Sequence, residues 1–146
     1  MTKEEFLLDT NHISPLVTIE HPLRKTILVH LRAGAQFSIA APALNEFLFG
    51  ISTLPRAIQN LKEWERLKHD FHIYSIDQTD AELSAKLRVS LRQKGWQLGI
   101  IDSLIAVIAL RYDLTLLTTD KDFSMIPDLK QENWRDTSLS KQSKVG

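Results

Sequence analysis

Cysteine is absent from this chain of 146 residues. A disulfide frame, a thiolate nucleophile and a cysteine-based zinc site are therefore all excluded. An excess of either charge is also missing, since 18 Lys and Arg balance 18 Asp and Glu. A formal charge of zero argues against bulk electrostatic capture of nucleic acid, but leaves room for a local basic rim around a local acidic pit. No uninterrupted apolar run approaches the roughly 18 residues of a membrane span, so no membrane association is expected. The start, Met1-Thr2-Lys3-Glu4-Glu5, is acidic and leads into a short apolar run, unlike a secretory signal. A cytoplasmic location is expected. Internal repeats, Gly-rich phosphate loops and the dinucleotide fingerprint are missing too.

What remains is an ordinary globular composition, 43% hydrophobic and 25% charged, at the size of one domain with its own core. We expect a single domain over residues 1–136. Residues 137–146, rich in Ser and Lys, have little to bury and are expected to form a flexible tail.

The apolar pattern alternates between two periods. Phe6-Leu7-Leu8 is a short buried run ended by Asp9-Thr10-Asn11, which reads as a strand and a turn. Helical spacing follows over Pro22–Arg32, then a strand at Phe37–Ala40. Pro42 suits the first turn of a helix to about Ser52, because its missing N–H is not needed there. A further helix is predicted from Pro55 to His69, with Ala57, Ile58, Leu61 and Trp64 on its inner side. Phe71–Ile76 reads as a third strand. Thr79–Lys94 is helical, with Leu83, Leu87 and Leu91 stacked, and Gly95 stops it. Ile101–Tyr112 is a helix apolar almost all round, and Thr115–Thr119 a fourth strand. A fifth short strand is expected before Trp134. Strands separated by helices imply right-handed crossovers. The expected fold is α/β: three α/β/α layers around a mostly parallel sheet of four to five strands.

In such sheets, sites collect at the carboxyl ends of the strands. Asp9 and Asp120 each follow a strand there, although an Asp in that place also serves as a turn former or helix cap. Asp102 opens the apolar helix beside Ala106 and Ala109, where a capping role is the competing reading. Glu46 lies off the apolar face of Leu44, Phe47, Leu48 and Ile51, beside the small residues Ala43 and Gly50, and a solvated glutamate is the bland alternative. Taken together, acids gathered at sheet edges repel one another unless a cation neutralises them. Oxygen-only ligands favour Mg²⁺ or Mn²⁺ over zinc, and such ions suit phosphodiester hydrolysis.

The segments Leu7–Asn11, Pro42–Gly50, Leu98–Ala106 and Leu117–Phe123, with Gly95 between, resemble in order and spacing the PIN-domain ribonucleases, most of all the VapC toxins of type II toxin–antitoxin pairs. The likeness spans roughly Phe6 to Trp134. It implies that Asp9, Glu46, Asp102 and Asp120 form an acidic, catalytic metal site. It also implies Mg²⁺-dependent endoribonuclease activity (Mn²⁺ being a substitute), with water as the nucleophile and one or two ions. The fourth acid is often Asn in this family, so Asp120 completes a fully acidic quartet. Asp122 is expected as an outer member and Phe123 as a core anchor. Thr118 is read as a partner of a site carboxylate or as an ordinary strand residue. The resemblance further implies an RNA substrate, a cognate antitoxin that sends a basic side chain into the pit, and a homodimer. Phe49, Leu54 and Leu67 are candidates for a partner surface. Arg24, Lys25, Arg88, Arg92, Lys94 and Lys121 are candidates for guiding the RNA backbone. His12 is read as a surface residue or a substrate contact.

Two other Asp-after-strand chemistries fit poorly. A haloacid-dehalogenase-type phosphatase needs a second Asp where Asn11 stands. A receiver domain needs further acids near the first strand and a phospho-acceptor Asp, for which Ser75-Ile76-Asp77 is unsuited. The alternative that remains is a non-catalytic PIN-like module binding RNA or protein.

Overall fold

Three consecutive apolar residues dictate the central strand. In the computed structural model, which describes residues 4–135, Phe6, Leu7 and Leu8 are all buried within β1 (Glu5–Leu8). Neighbouring side chains of a strand point to opposite faces, so a strand buried throughout is covered on both. β2 (Gln36–Ala40) obeys the same rule through Phe37, Ser38, Ile39 and Ala40. The expected tail, 137–146, and the domain limit at 136 lie outside the described residues.

From β1 the chain passes through α1 (Thr10–Ile13), a 3-10 turn and α2 (Pro22–Arg32) to β2. It continues through α3 (Ala41–Ser52) and α4 (Ala57–Leu67) to β3 (His72–Tyr74). Then α5 (Gln78–Gln93) and α6 (Ile100–Arg111) return it to β4 (Thr115–Leu117), and a 3-10 turn over Lys121–Met125 leads to β5 (Gln131–Glu132). The sheet order is β3-β2-β1-β4-β5, and every neighbouring pair is parallel. The first crossovers thus move outward on one side of β1, and the α5–α6 crossover carries the chain to the other. That reversal opens a crevice at the carboxyl ends of β1 and β4. Asp9 follows the first of these strands and Asp120 lies just beyond the second.

The expected α/β/α architecture is therefore found, with the fifth strand before Trp134. The central part of α6, Ser103 and Ile105 to Ala109, is buried as its composition requires. Phe123 is fully buried, in keeping with its expected place in the core. Three local features differ. The stretch after β1 is a short helix rather than a simple turn, with His12, Ile13, Leu16 and Val17 buried at helical spacing. β3 is shorter than Phe71–Ile76, because it is an edge strand paired only with Ser38–Ala40. In α4, Trp64 and Leu67 turn inward, with Trp64 edge-on to Phe47 at 5.1 Å, while Ile58 is 71% exposed and Leu61 faces solvent. The expected inner stripe is rotated, because the tryptophan's large apolar area sets the phase of the helix.

Gly95 ends the α5 segment with φ +80°, and a Cβ at that position would meet nothing within 4 Å. Gly95→Ala is therefore expected to lower stability by about 1 kcal/mol purely through the left-handed backbone. The check is a shifted denaturation midpoint at unchanged m-value.

Candidate active site

The backbone of β1 continues one residue beyond the strand, and Asp9 N–H donates to Leu117 O at 3.0 Å. This ladder bond ties the position of Asp9 to β4. The chain then enters α1 with Asp9 as its N-cap, and Oδ1 accepts Thr10 N–H at 2.8 Å. The capping role and a place in the crevice are thus held by one residue. Oδ2 accepts the Thr118 hydroxyl at 2.8 Å and the Asn11 amide Nδ2 at 3.3 Å. Thr118 Oγ1 in turn accepts Asp120 N–H at 3.0 Å, so one hydroxyl fastens both strand-end acids. The reading of Thr118 as a carboxylate partner holds. Burial pushes the Asp9 carboxyl up; the Thr118 and Thr10 bonds pull it back, and the Asp120 charge adds to the rise.

Asp102 stands in the first turn of α6, whose N-cap is Gly99. No side chain caps this helix, so Asp102 is not occupied in that role. Its turn is tied to α5, because Ser103 Oγ donates to Ile100 O at 2.7 Å and meets Ser84 Oγ across the interface. Burial first, then the charges of Asp9, Asp120, Glu46 and Asp122, push the Asp102 carboxyl up to about 6. Every acid of the crevice acts on this one group. Glu46 reaches it from the exposed side of α3, its own carboxyl raised by partial burial and by the charge of Asp9.

The tightest grouping is not the expected quartet. Oxygens of Asp102, Asp120 and Asp122 lie within 4.8 Å of one another, whereas Asp9 and Glu46 stand outside this triad and are joined to it through charge. Asp122 N–H donates to Asp120 Oδ1 at 2.9 Å, which folds the acidic turn onto itself. Asp122, expected as an outer member, thus has a carboxylate oxygen within reach of Asp102 and Asp120. The signal was present as an acid two residues after Asp120. Among the described residues, no Lys or Arg forms an ion pair with Asp9, Glu46, Asp102, Asp120 or Asp122. A set of mutually repelling carboxylate oxygens with no ion pair to neutralise them fits a hard divalent cation.

Of the basic candidates, Arg24 is excluded from contact with a ligand. It is buried, donates to Leu16 O at 2.6 Å and pairs with Glu63 at 2.7 Å. Arg88 and Arg92 instead line a groove with Trp96, Gln97 and Gly99, next to the start of α6. Lys121 is exposed directly after Asp120. His12 is neither a surface residue nor a substrate contact: it is fully buried, and Nε2 accepts Trp134 N–H at 3.0 Å. Burial and the charge of Arg135 draw it down to about 4, so it is neutral at pH 7.

Phe49 is 73% exposed and Leu54 is exposed as well, whereas Leu67 is buried and leaves the candidate partner surface. Ile58 and Ile19 join Phe49 and Leu54 among the exposed apolar residues. No helix among the described residues is long and apolar enough to cross a membrane.

Comparison with known proteins identifies the family and the fold. The family model of the PIN domain matches residues 6–129. Ribonuclease VapC2 of Rickettsia felis is 30% identical over 131 residues, covering 88% of this chain and 97% of that protein. Ribonuclease VapC4 of Mycobacterium tuberculosis is 28% identical over 100 residues, 67% of this chain and 77% of that protein. Among solved structures, VapBC2 of Rickettsia felis bound to a promoter DNA fragment superposes with a TM-score of 0.77 at 27% identity, covering 89% of this chain and 98% of that one.

Proposed function

Because the chain belongs to the PIN-domain family and is related to VapC ribonucleases, we propose that it is the toxin of a type II toxin–antitoxin pair, acting in the cytoplasm as a metal-dependent endoribonuclease. Asp9, Glu46, Asp102 and Asp120 hold a divalent cation, Mg²⁺ in the cell with Mn²⁺ as a substitute. The observation that carries this reading is the position of Asp102, a half-buried carboxyl on which four other acids act at the switch point of the sheet.

Each residue has a definable task. Asp9, bonded at both oxygens, supplies the rigid floor of the site. Asp102 and Asp120 supply anionic oxygens close enough to share one ion. Glu46 adds its charge from α3, where it acts on Asp102 and is itself raised by Asp9. When bound, the cation polarises a phosphoryl oxygen and makes water a better nucleophile at neutral pH. The chain needs no covalent nucleophile of its own. Arg88 and Arg92, in the groove beside the start of α6, and Lys121, directly after Asp120, can steer the phosphate backbone of a single-stranded RNA segment.

An uncompensated acidic pit also suits inhibition by a partner that inserts Arg or Lys, a charge-assisted plug. Phe49, Leu54 and Ile58, exposed on α3, α4 and the turn between them, offer such an antitoxin apolar contacts, and self-association into a homodimer belongs to the same reading.

The test is incubation of the purified chain with RNA and Mg²⁺. Cleavage at discrete positions that is stopped by a chelator and restored by Mg²⁺ is the expected result. RNA binding without cleavage, with or without the ion, would overturn it in favour of a non-catalytic binding module.

A further inference from the structure

A chain of polar contacts runs from the end of the described chain into the floor of the site, and neither ligation nor capping requires it. Trp134 packs its ring on Phe6, Phe37 and His30, with centroids 4.9, 5.9 and 4.8 Å away. That packing fixes its backbone N–H, which points at His12 Nε2 at 3.0 Å. A backbone N–H can only donate, so Nε2 must be the bare nitrogen. In a neutral ring the proton then sits on Nδ1, 2.7 Å from Asn11 Oδ1. Asn11 Oδ1 also accepts Thr119 N–H at 3.1 Å. With its oxygen held by two donors, the amide can present only its NH₂ to the other side, where Asp9 Oδ2 lies at 3.3 Å and Thr118 Oγ1 at 3.4 Å.

We propose that His12 is a positioning residue for the acidic site, its Nδ1–H setting the orientation of the Asn11 amide so that this amide donates to the inner oxygen of Asp9. The Trp134 segment is thereby coupled to the site, because its N–H selects the tautomer that orients Asn11. The inference rests on the reading of Asp9 as a cation ligand. A buried group that hydrogen-bonds to a ligand typically alters affinity by about 10–100-fold, through the ligand's orientation rather than by touching the ion. Full burial and neutrality of His12 keep the relay in one protonation state at pH 7.

Two amide side chains separate the relay from simple packing, because Gln places a polar atom near Nε2 and Asn places one near Nδ1. His12→Gln can still accept from Trp134 but no longer donates to Asn11. His12→Asn keeps a donor to Asn11 and gives up the Trp134 bond. Mn²⁺ affinity, measured by calorimetry on the full chain, is expected to fall about tenfold in Asn11→Ala and about fivefold in His12→Gln. His12→Asn is expected to stay within about twofold of the parent, even where its melting temperature drops more. The Asn11→Ala/His12→Gln double variant is expected to be no weaker than Asn11→Ala alone, since both act on one bond. Nitrogen chemical shifts of His12 in the metal-free chain should report the Nδ1–H tautomer. The Nε2–H tautomer, or equal affinity losses in His12→Gln and His12→Asn, would overturn the proposal. Asp9→Asn serves as the control. If it binds Mn²⁺ like the parent, the ligand assignment of Asp9 fails; if it loses Mn²⁺ while Asn11→Ala does not, the relay alone fails.

Discussion

Asp102→Asn is expected to lower RNA cleavage by about 10³-fold or more while leaving the fold intact. The substitution keeps the shape of the side chain and removes one negative charge from the point where five acids act together. An amide is a poor ligand for Mg²⁺ beside carboxylates, and a barrier increase of about 4 kcal/mol corresponds to that thousandfold loss. Asp9→Asn should be comparably severe, because it replaces an acceptor oxygen held by Thr118 and Asn11 with a group that can donate. Asp122→Asn separates the geometric triad from the quartet read in the sequence. Asp122 is exposed and its backbone N–H, which the substitution keeps, holds Asp120 Oδ1. Its loss is expected to reduce cleavage by no more than about tenfold, the scale of an outer group. Single-turnover cleavage of one RNA under saturating Mg²⁺ ranks the three. A loss at Asp122 equal to that at Asp102 would move Asp122 into the ligand set, and full activity in Asp102→Asn would remove the site altogether.

The parts of this molecule that could be read in its sequence are those where burial leaves a periodic trace. Phe6-Leu7-Leu8 and Leu116-Leu117 are apolar without alternation, and in β2 even Ser38, between Phe37 and Ile39, is buried, which occurs when a strand is covered on both faces. Once those strands are parallel, Asp9 and Asp120 must emerge at one edge, whatever their separation along the chain. Glu46 and Asp102 were harder to place from the residues alone, because helical position gives a face but no destination, and the resemblance to a known family assigned them. The two misread polar residues share a cause: a side chain whose partners are brought to it by the fold. Arg24 looks like a surface cation until Leu16 O and Glu63 close around it. His12 looks exposed until Trp134, more than a hundred residues later, supplies its N–H. Spacing could have placed His12 inside, since it precedes Ile13, Leu16 and Val17 at helical intervals. Nothing local could have supplied its donor. The phase of α4 was likewise set from outside, by the Trp64 contact with Phe47.

A divalent cation is expected to stabilise the chain more at pH 7 than at pH 5, and Asp102→Asn is expected to remove most of that difference. The Asp102 carboxyl, pushed up to about 6 from an ordinary 3.8, is easier to protonate folded than unfolded. Its favourable contribution is therefore fully present below about pH 3.8 and disappears as pH rises through about 6. Asp9 and Glu46 are shifted in the same direction. His12 opposes them. Drawn down to about 4 from 6.5, it favours the fold at neutral pH and ceases to do so as pH falls through about 4. The pH profile of the metal-free parent alone is thus nearly flat where the two trends overlap, and the informative quantity is a difference between proteins. Without metal, Asp102→Asn should match the parent near pH 4 and exceed it by about 2 kcal/mol at pH 7, allowing for the partial solvent access of the group. With Mn²⁺ at about 100 times its dissociation constant, the parent at pH 7 should gain about 2.7 kcal/mol by mass action alone. At pH 5 protons compete for the same oxygens and the gain should shrink. Thermal denaturation of both proteins at the two pH values, with Mn²⁺ and with a chelator, measures all of these. A parent whose stability is indifferent to Mn²⁺ at pH 7, or an Asp102→Asn variant less stable than the metal-free parent there, would mean that the acids of the crevice do not strain the fold and have no cation to relieve them.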